Sequence, residues 1–115
     1  MKVEVSFERL KSVVGKAVNA TMKVGQNVAL RGVYFETDEG SQKLLVRSTN
    51  IDLGFETAVP AKILQSGKFL ISGEVLGRLL TVVTVKNEDV CVLGFENNTL
   101  SVKLGKHEFT LKTLA

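Results

Sequence analysis

The pattern of apolar runs repeats once along the chain, and this repeat restricts the possible folds more than any other feature. Residues 1–62 show the pattern of a strand, a helix and three further strands, and residues 63–115 repeat that order. Internal repeats of this kind place related units against each other to bury a shared core. Two β-α-β-β-β units therefore predict an α+β domain in which two helices pack side by side on one face of an antiparallel sheet.

Both helices are predicted from apolar spacing and from serine caps. Ser6 and Ser72 stand where an N-cap hydroxyl accepts a hydrogen bond from the first turn of a helix. Apolar residues then recur at positions 7, 10, 13, 14, 17 and 18, and again at 75, 76, 79, 80 and 83. This spacing gives each helix one apolar face. The opposite faces are predicted to carry Ser12, Gly15, Lys16 and Asn19 in the first helix, and Glu74, Gly77, Arg78 and Thr81 in the second.

Eight strands are predicted from short apolar runs that end in turn residues. They cover Val3–Phe7, Leu30–Glu36, Lys43–Ser48, Leu53–Lys62, Lys68–Ser72, Asp89–Phe95, Thr99–Leu104 and Glu108–Leu114. Pro60 has no N–H to donate, so we expect it at a strand end or on an edge. Asn97-Asn98 and Gly105-Lys106 predict tight hairpin turns. Five of the six phenylalanines lie in strands, where packing is their expected use.

Composition fits one globular domain and excludes several classes of protein. The chain has 115 residues, of which 44% are hydrophobic and 23% charged, and this balance argues against a disordered chain. A single cysteine excludes a disulfide scaffold, and Cys91 lies in an apolar run, which predicts a buried thiol in a reducing cytosol. No apolar run is long enough to span a membrane, and the first residues do not resemble a signal peptide. A net charge of +3 permits binding to nucleic acid without demanding it.

The residues that catalysis needs are sparse. His107 is the only histidine, so no pair of a nucleophile and a second histidine can be formed, and we expect it to be an exposed strand residue. Asp52 and Glu56 are candidates for an acid and a base, but they lie four positions apart in a turn and strand without a surrounding motif. The glycines match no phosphate-binding loop. The sequence therefore predicts a non-catalytic protein with no metal site and no cofactor.

Several segments, taken in order, resemble one family along the whole chain. They are residues 1–18, with a strand and helix; 27–35, with a strand; 47–55, with a turn and strand; 67–72, before the second helix; and 109–114, with a terminal Phe-x-Leu-x-x-Leu strand. In this order they are similar to the N-terminal domain of the bacterial sliding clamp, the beta subunit of DNA polymerase III. The resemblance implies the DNA clamp fold, with this chain as the first of three domains in a full-length subunit.

The resemblance also implies a function and a set of partners. Members of the family are processivity factors of DNA replication, in which two subunits close head to tail into a ring around duplex DNA. Binding is topological and independent of sequence, and it tethers DNA polymerase III. Contacts with the polymerase and the clamp loader would be made through domains absent from these 115 residues. The expected location is the bacterial cytoplasm, at the replicating nucleoid, with no membrane partner.

Two groups of residues are expected to carry this function. Sliding needs sparse positive charge near phosphate without reading of bases, and the expected DNA-facing residues are Ser12, Lys16, Asn19, Lys23 and Arg78. The expected subunit interface is the terminal strand, with Lys106, Phe109 and Leu111. The two apolar residues could instead face the core of their own domain. An alternative function is a free-standing α+β module that binds a partner protein through this terminal edge strand. An enzyme of unknown type is a third, weaker possibility.

Overall fold

An antiparallel sheet curves around two packed helices. The computed structural model describes residues 1–21, 31–50, 52–83 and 90–114. Its strands are β1 (Lys2–Ser6), β2 (Gly32–Asp38), β3 (Lys43–Thr49), β4 (Gly54–Gln65), β5 (Lys68–Ser72), β6 (Val90–Glu96), β7 (Thr99–Leu104) and β8 (His107–Lys112). The helices are α1 (Phe7–Asn19) and α2 (Gly73–Val82). The predicted α+β class and the repeated order of elements are confirmed.

The two repeats exchange their first strands. The strand order is β5-β2-β3-β4-β1-β6-β7-β8, so β5 pairs with β2 of the first repeat and β1 pairs with β6 of the second. The β1–β4 pairing joins the two groups of four strands into one sheet. Because β4 continues to Gln65, the predicted boundary after residue 62 falls inside this strand. Neither repeat can form a complete sheet alone, which makes the fold one cooperative unit.

Serine hydroxyls begin both helices, as predicted. Ser6 Oγ accepts a hydrogen bond from the N–H of Arg9, and Ser72 Oγ accepts one from the N–H of Val75. Both bonds satisfy N–H groups that have no partner within the helix. The apolar faces are buried against the concave side of the sheet. Their fully buried members are Phe7, Leu10, Val14 and Ala17 on α1, and Leu76, Leu79 and the C-cap residue Val83 on α2.

The core also contains a short aromatic stack. Phe69 of β5 lies between Phe35 of β2 and Phe95 of β6, with ring centroids 4.8 Å and 5.3 Å away. This stack links both groups of strands beneath the helices. The strand phenylalanines are therefore used in packing, as expected from their positions.

One helix face differs from the prediction. Gly77 was expected on the polar face of α2, but it lies at the contact with α1, where an added Cβ would be 3.7 Å from Val18 Cγ1. Gly73 lies against Thr21 in the same way. Thus the beginning of α2 meets the end of α1, and the helices run antiparallel. At Gly73 an added Cβ would be only 2.6 Å from Thr21 Oγ1, so the missing side chain there allows this close approach. The apolar pattern of α2 could not indicate this contact.

Pro60 is neither at a strand end nor on an outer edge, and that prediction is wrong. It lies inside β4, where pairing with β3 ends at Pro60 and pairing with β1 begins at Ala61. The N–H of Ala61 points to the β3 side, where it donates to the carbonyl of Gln42. Since donors alternate along a strand, the nitrogen of Pro60 faces the β1 side, beyond the last paired residue of β1. No ladder bond is lost there.

Other boundaries move by a few residues. Phe7 belongs to α1 rather than β1, β2 runs from Gly32 to Asp38, and β8 ends at Lys112 rather than Leu114. The predicted starts at Leu30 and Asp89 lie outside the described residues. Both hairpin turns are confirmed. Asn97 and Asn98 have φ of 51° and 59°, and Gly105 has φ of 57°, values that tight hairpin turns require.

Candidate nucleic-acid interface

The helices expose a shared polar surface on the side away from the sheet. Ser12, Lys16 and Asn19 are exposed on α1, and Arg78 is exposed on α2. The antiparallel contact at Gly77 brings the two helices together, so these side chains belong to one face of the domain. Four of the five predicted DNA-facing residues are therefore placed on this helical surface. Lys23, the fifth, lies outside the described residues.

Lys11 belongs to the same surface, although it is not among the residues predicted from the sequence to face DNA. Lys11 is exposed and lies seven residues before Val18, the side chain that meets Gly77. At about 100° per residue, this spacing puts Lys11 on the stripe of α1 nearest to α2. Arg9 is also exposed on α1. The signal that could have found Lys11 is the helix–helix contact, which becomes visible once the role of Gly77 is known.

Arg78 is not a free cation. Its Nη2 atom lies 2.6 Å from Oε1 of Glu74, one helical turn earlier, and the two side chains are 76% and 56% exposed. An exposed pair at this spacing contributes only about 0.3–0.5 kcal/mol, so an approaching phosphate can compete for the guanidinium. Glu74 nevertheless weakens the positive field of α2. Among the described residues, Lys11 and Lys16 of α1 have no carboxylate partner, so they carry more of the positive charge on this surface.

Two side-chain hydroxyls bond to the carbonyls at the end of α1. Ser48 of β3 donates a 2.7 Å hydrogen bond to the carbonyl of Ala17, and Thr21 Oγ1 donates one of 2.7 Å to the carbonyl of Val18. The last carbonyls of a helix have no partner within it. Both carbonyls also accept a bond from the backbone, from the N–H of Ala20 and of Thr21. The hydroxyls are therefore second donors, and they fix the turn that carries Lys16 and Asn19. Ser48 is the one buried polar residue among the described residues, and its hydroxyl is satisfied by this contact.

The terminal strand β8 carries the other predicted site. Phe109 pairs with Val102 and Leu111 with Leu100 on β7, so both side chains point to the core side of the sheet. They are only half-buried and pack against the rim of the core, whereas Lys106 is exposed in the preceding turn. Each apolar side chain thus contributes to its own domain and keeps part of its surface open. Beyond β7, β8 has no second ladder partner among the described residues.

Groups that could support catalysis are scattered. His107 is exposed at the start of β8, Asp52 is exposed, and Glu56 is paired with Arg47 at 3.3 Å. Within the described ranges, no three side chains of His, Cys, Asp or Glu come together in a way that could hold a metal ion. Cys91 is fully buried, and burial raises the pKa of its thiol to about 12. No helix in the described part of the chain is long and apolar enough to cross a membrane.

Comparison with known proteins gives matches at the level of structure. Searches with the sequence against protein-family models and against curated proteins found no match. The Helicobacter pylori beta clamp bound to a DNA ligase peptide superposes with a TM-score of 0.85 and 19% identity, over 100% of this chain and 31% of that chain. The DNA polymerase III subunit beta of Pseudomonas aeruginosa gives 0.85 and 19%, over 100% of this chain and 30% of that chain. The beta subunit of Thermotoga maritima gives 0.85 and 23%, over 99% and 30%.

These matches confirm the fold expected from the resemblance. The chain has the fold of a sliding-clamp domain over its whole length, although identity is only 19–23%. It spans about a third of the length of each clamp, at 30–31%. Two helices packed on an eight-stranded antiparallel sheet form the architecture that matches these structures.

Proposed function

We propose that this chain is the first of three domains of a beta sliding clamp, a non-catalytic processivity factor of DNA replication. The observation that carries the proposal is the whole-length match to beta clamps, at a TM-score of 0.85. In the proposed assembly, two subunits close head to tail around duplex DNA in the bacterial cytoplasm. The ring tethers DNA polymerase III, and the polymerase and clamp loader bind through domains beyond these 115 residues.

The helical surface is the proposed DNA-facing side. Its charge is sparse, since Lys11 and Lys16 of α1 lie among exposed polar side chains and Arg78 is shared with Glu74. The polar neighbours are Ser12 and Asn19. A sliding protein needs contacts with phosphate that are weak and independent of sequence. A denser set of arginines would hold the duplex at one position. The expected residues Ser12, Lys16, Asn19, Lys23 and Arg78 fit this requirement by type and by number.

Charge reversal tests this assignment in the assembled protein. Lys16→Glu, Lys23→Glu and Arg78→Glu together should lower retention on nicked circular DNA by about tenfold at moderate salt, because phosphate attraction is replaced by repulsion. The matched control is Lys43→Glu, Lys62→Glu and Lys103→Glu, which makes the same charge change on the outer face of the sheet. Linearised DNA should release both forms. If both triple variants are retained equally on circular DNA, Lys16, Lys23 and Arg78 do not contact the DNA as proposed.

The isolated domain should bind DNA barely, if at all. It cannot encircle a duplex, and its few cations give only weak nonspecific affinity. A gel shift with these 115 residues should show no complex at protein concentrations below about 1 μM. A tight complex would show that binding is direct rather than topological. The ring would then no longer be needed to explain binding.

The terminal strand is the proposed contact between subunits. Phe109 and Leu111 retain exposed apolar surface on an edge strand, and such an edge can pair with a strand from a neighbour. Head-to-tail contacts of this kind close into a ring when the rotation permits. Phe109→Asp with Leu111→Asp should convert the assembled dimer into monomers that remain folded. The control is Leu53→Asp with Leu64→Asp, at two other exposed apolar positions.

The alternative is an α+β module that binds a partner protein through β8 and has no role at DNA. The observation in its favour is the same open edge with half-buried Phe109 and Leu111. Under this alternative, the β8 variants would abolish capture of the partner, and charge reversal on the helices would change nothing. Retention on circular DNA that disappears on linearisation therefore separates the two functions.

A further inference from the structure

The outer edge of β5 is incompletely paired, although its counterpart in the first repeat is covered. In the first repeat, β4 passes Pro60 and its last residues pair with β1, with Val5 opposite Ala61 and Glu4 opposite Lys62. In the second repeat, β8 passes Lys112 and reaches β5, the counterpart of β1. There the N–H of Leu114 donates a 2.7 Å hydrogen bond to the carbonyl of Leu70.

The registers of the two repeats agree. Lys43 is opposite Pro60 in the first repeat, and Thr99 is opposite Lys112 in the second. Pro60 and Lys112 therefore occupy equivalent positions, and two residues further along the chain Lys62 is equivalent to Leu114. β1 begins at Lys2 and β5 at Lys68, so the third residues of these strands, Glu4 and Leu70, are also equivalent. Glu4 is the residue that pairs with Lys62. In the second repeat, the single Leu114–Leu70 bond therefore stands at the position where β4 and β1 form a full pairing in the first repeat.

The remaining groups of the β5 edge point outward. Because the carbonyl of Leu70 faces Leu114 and not β2, its N–H faces outward as well. Lys68 and Ser72, two positions to either side, share this direction. Apart from the Leu114 contact, no backbone partner is found for this edge among the described residues. A row of outward N–H and C=O groups is a template for an added strand.

An apolar groove runs beside this edge on the outer face of the sheet. It has a volume of about 610 Å³ and is lined by Tyr34, Phe55 and Leu70, with glycines at positions 32 and 54. Leu114, which is 36% exposed, leans over Gly32, where an added Cβ would be 3.2 Å from its Cδ1 atom. The side chain of Leu114 shows how an apolar residue of an added strand fits this surface.

The polar rim of the groove is internally satisfied. Tyr34 donates a 2.6 Å hydrogen bond to Glu36, while Arg47 stacks over the Tyr34 ring at 6.0 Å and pairs with Glu56. The bond to Glu36 raises the pKa of the Tyr34 hydroxyl above its usual value. With these charges paired, the groove offers apolar contact and backbone bonds rather than an ionic site. An extended peptide with apolar residues at alternate positions matches both features.

We propose that the β5 edge is a docking site for an extended peptide strand of a partner protein, which adds antiparallel to Lys68–Ser72 and places an apolar side chain beside Leu70. The kind of occupant follows from the first repeat, where residues 61–65 cover the equivalent edge. Thr113 and Leu114 already lie at this edge, where Leu114 bonds to Leu70, so the incoming strand must displace them. The site is separate from β8 and from the helical surface, and it does not depend on the proposed role at DNA.

The probe is a capped synthetic peptide with the sequence of residues 61–65 in which leucine replaces Lys62, so that an apolar side chain lies opposite Leu70. It is titrated into labelled protein and followed by NMR. Affinity should be weak, about millimolar, because a short peptide loses much conformational freedom on binding. We expect saturable shifts on β5, on β2 and at the displaced residues 113 and 114, with amide exchange at Lys68 and Leu70 slowed about tenfold near saturation. Removal of residues 113–115 should tighten binding, because the competing tail is absent. Shifts confined to β8, or no saturable shift on β5, would overturn the proposal.

Backbone chemistry separates strand addition from loose apolar contact. Methylating the peptide nitrogen at the position of Lys62, which faces the edge, should abolish binding. The matched peptide methylated at the position of Ile63, which faces away, should still bind. In the protein, Leu70→Pro should block the edge, while Leu70→Ala keeps the N–H and should retain binding. The methylated peptides decide the question if Leu70→Pro fails to fold. If amide exchange at Lys68 and Leu70 is already slow without peptide, the edge is covered by the C-terminal residues or by a second copy of the chain. The proposal would then be wrong.

Discussion

The hydroxyl of Ser48 donates a 2.7 Å hydrogen bond to the carbonyl oxygen of Ala17, and so links the middle of the sheet to the last turn of α1. The same carbonyl accepts a 3.1 Å bond from the N–H of Ala20. This contact is buried, and it fixes the turn that presents Lys16 and Asn19. A polar side chain in an apolar core is costly unless it is bonded, which explains why its geometry matters.

Replacing this hydroxyl should loosen the end of α1. Ser48→Ala should lower the free energy of unfolding by about 1 kcal/mol, since the Ala17 carbonyl keeps its bond to Ala20. Ser48→Val should cost more, because a larger apolar side chain must enter a packed site. Urea denaturation measures both, with Ser12→Ala as the exposed control. Amide exchange at Ala20 and Thr21 should become faster in Ser48→Ala. An unchanged exchange rate there would mean that the hydroxyl does not hold this turn.

Two glycines of α2 should respond in opposite directions to the same added methyl group. At Gly77 the new Cβ would lie 3.7 Å from Val18, an ordinary contact, and alanine favours a helix by about 1 kcal/mol over glycine. At Gly73 the new Cβ would lie 2.6 Å from Thr21 Oγ1, which is held by its own bond to Val18. Gly77→Ala should therefore raise the melting temperature, whereas Gly73→Ala should lower it. A gain in both variants would show that the helix contact at Gly73 is loose.

The sequence carries the local features of this fold clearly. Ser6 and Ser72 were predicted as caps because capping depends on a hydroxyl and the three residues that follow it. The turn at Asn97-Asn98 was predicted for a similar local reason, since asparagine tolerates the positive φ that a tight hairpin turn requires. The repeat was visible because each unit has the same alternation of strands and helix. Together these features were sufficient for the fold class.

Features that depend on strand pairing could not be predicted from one sequence. The position of Pro60 inside β4 can be predicted only if the end of the pairing with β3 is known. The burial of Gly77 can be predicted only if the position of α1 is known. The bond from Ser48 joins residues 31 positions apart, and a serine in an apolar run gives no indication of its partner. The candidate DNA-facing residues were identifiable as a polar helix face. Lys11 was missed because its stripe is defined by the neighbouring helix.

The buried thiol of Cys91 should make stability depend on alkaline pH. Burial raises the pKa of Cys91 from its usual value of 9.0 to about 12 in the folded protein. Between these values the folded state holds a proton that the unfolded state has lost, so stability falls as pH rises. The loss is about 1.4 kcal/mol for each pH unit within this window. Below it, the thiol contributes no pH dependence.

Cys91→Ala provides the comparison, because the two proteins differ only in this one ionisable group. Urea denaturation at about pH 8 and about pH 10 should show that the wild type loses more stability than the variant by about 1.4 kcal/mol. Alkylation of native Cys91 should also be slow at the lower pH and should follow unfolding. Rapid alkylation of the folded protein would show that the thiol is accessible.

Gln42 immediately precedes β3 and bonds to β4 beyond the last residue that β3 pairs with. Its backbone carbonyl accepts a 3.1 Å bond from Ala61, and its side-chain Oε1 accepts a 3.0 Å bond from Ile63. The residue has φ of 52°, a left-handed conformation that favours glycine. Gln42→Ala should lower the free energy of unfolding by about 1–3 kcal/mol, because the N–H of Ile63 loses its acceptor. Faster amide exchange at Ile63 should accompany this loss.

Two further substitutions at this position separate the side-chain bond from the backbone conformation. Gln42→Glu loses the 2.9 Å bond that Nε2 donates to the Glu39 carbonyl, but it keeps an oxygen for the N–H of Ile63. Its free energy of unfolding should therefore fall less than that of Gln42→Ala. Gln42→Gly removes the side-chain bond but adopts positive φ freely, and should regain about 1 kcal/mol relative to Gln42→Ala. If glycine restored full stability, the positive φ alone would explain the effect. Slow exchange at Ile63 in the alanine variant would show that another acceptor replaces Oε1.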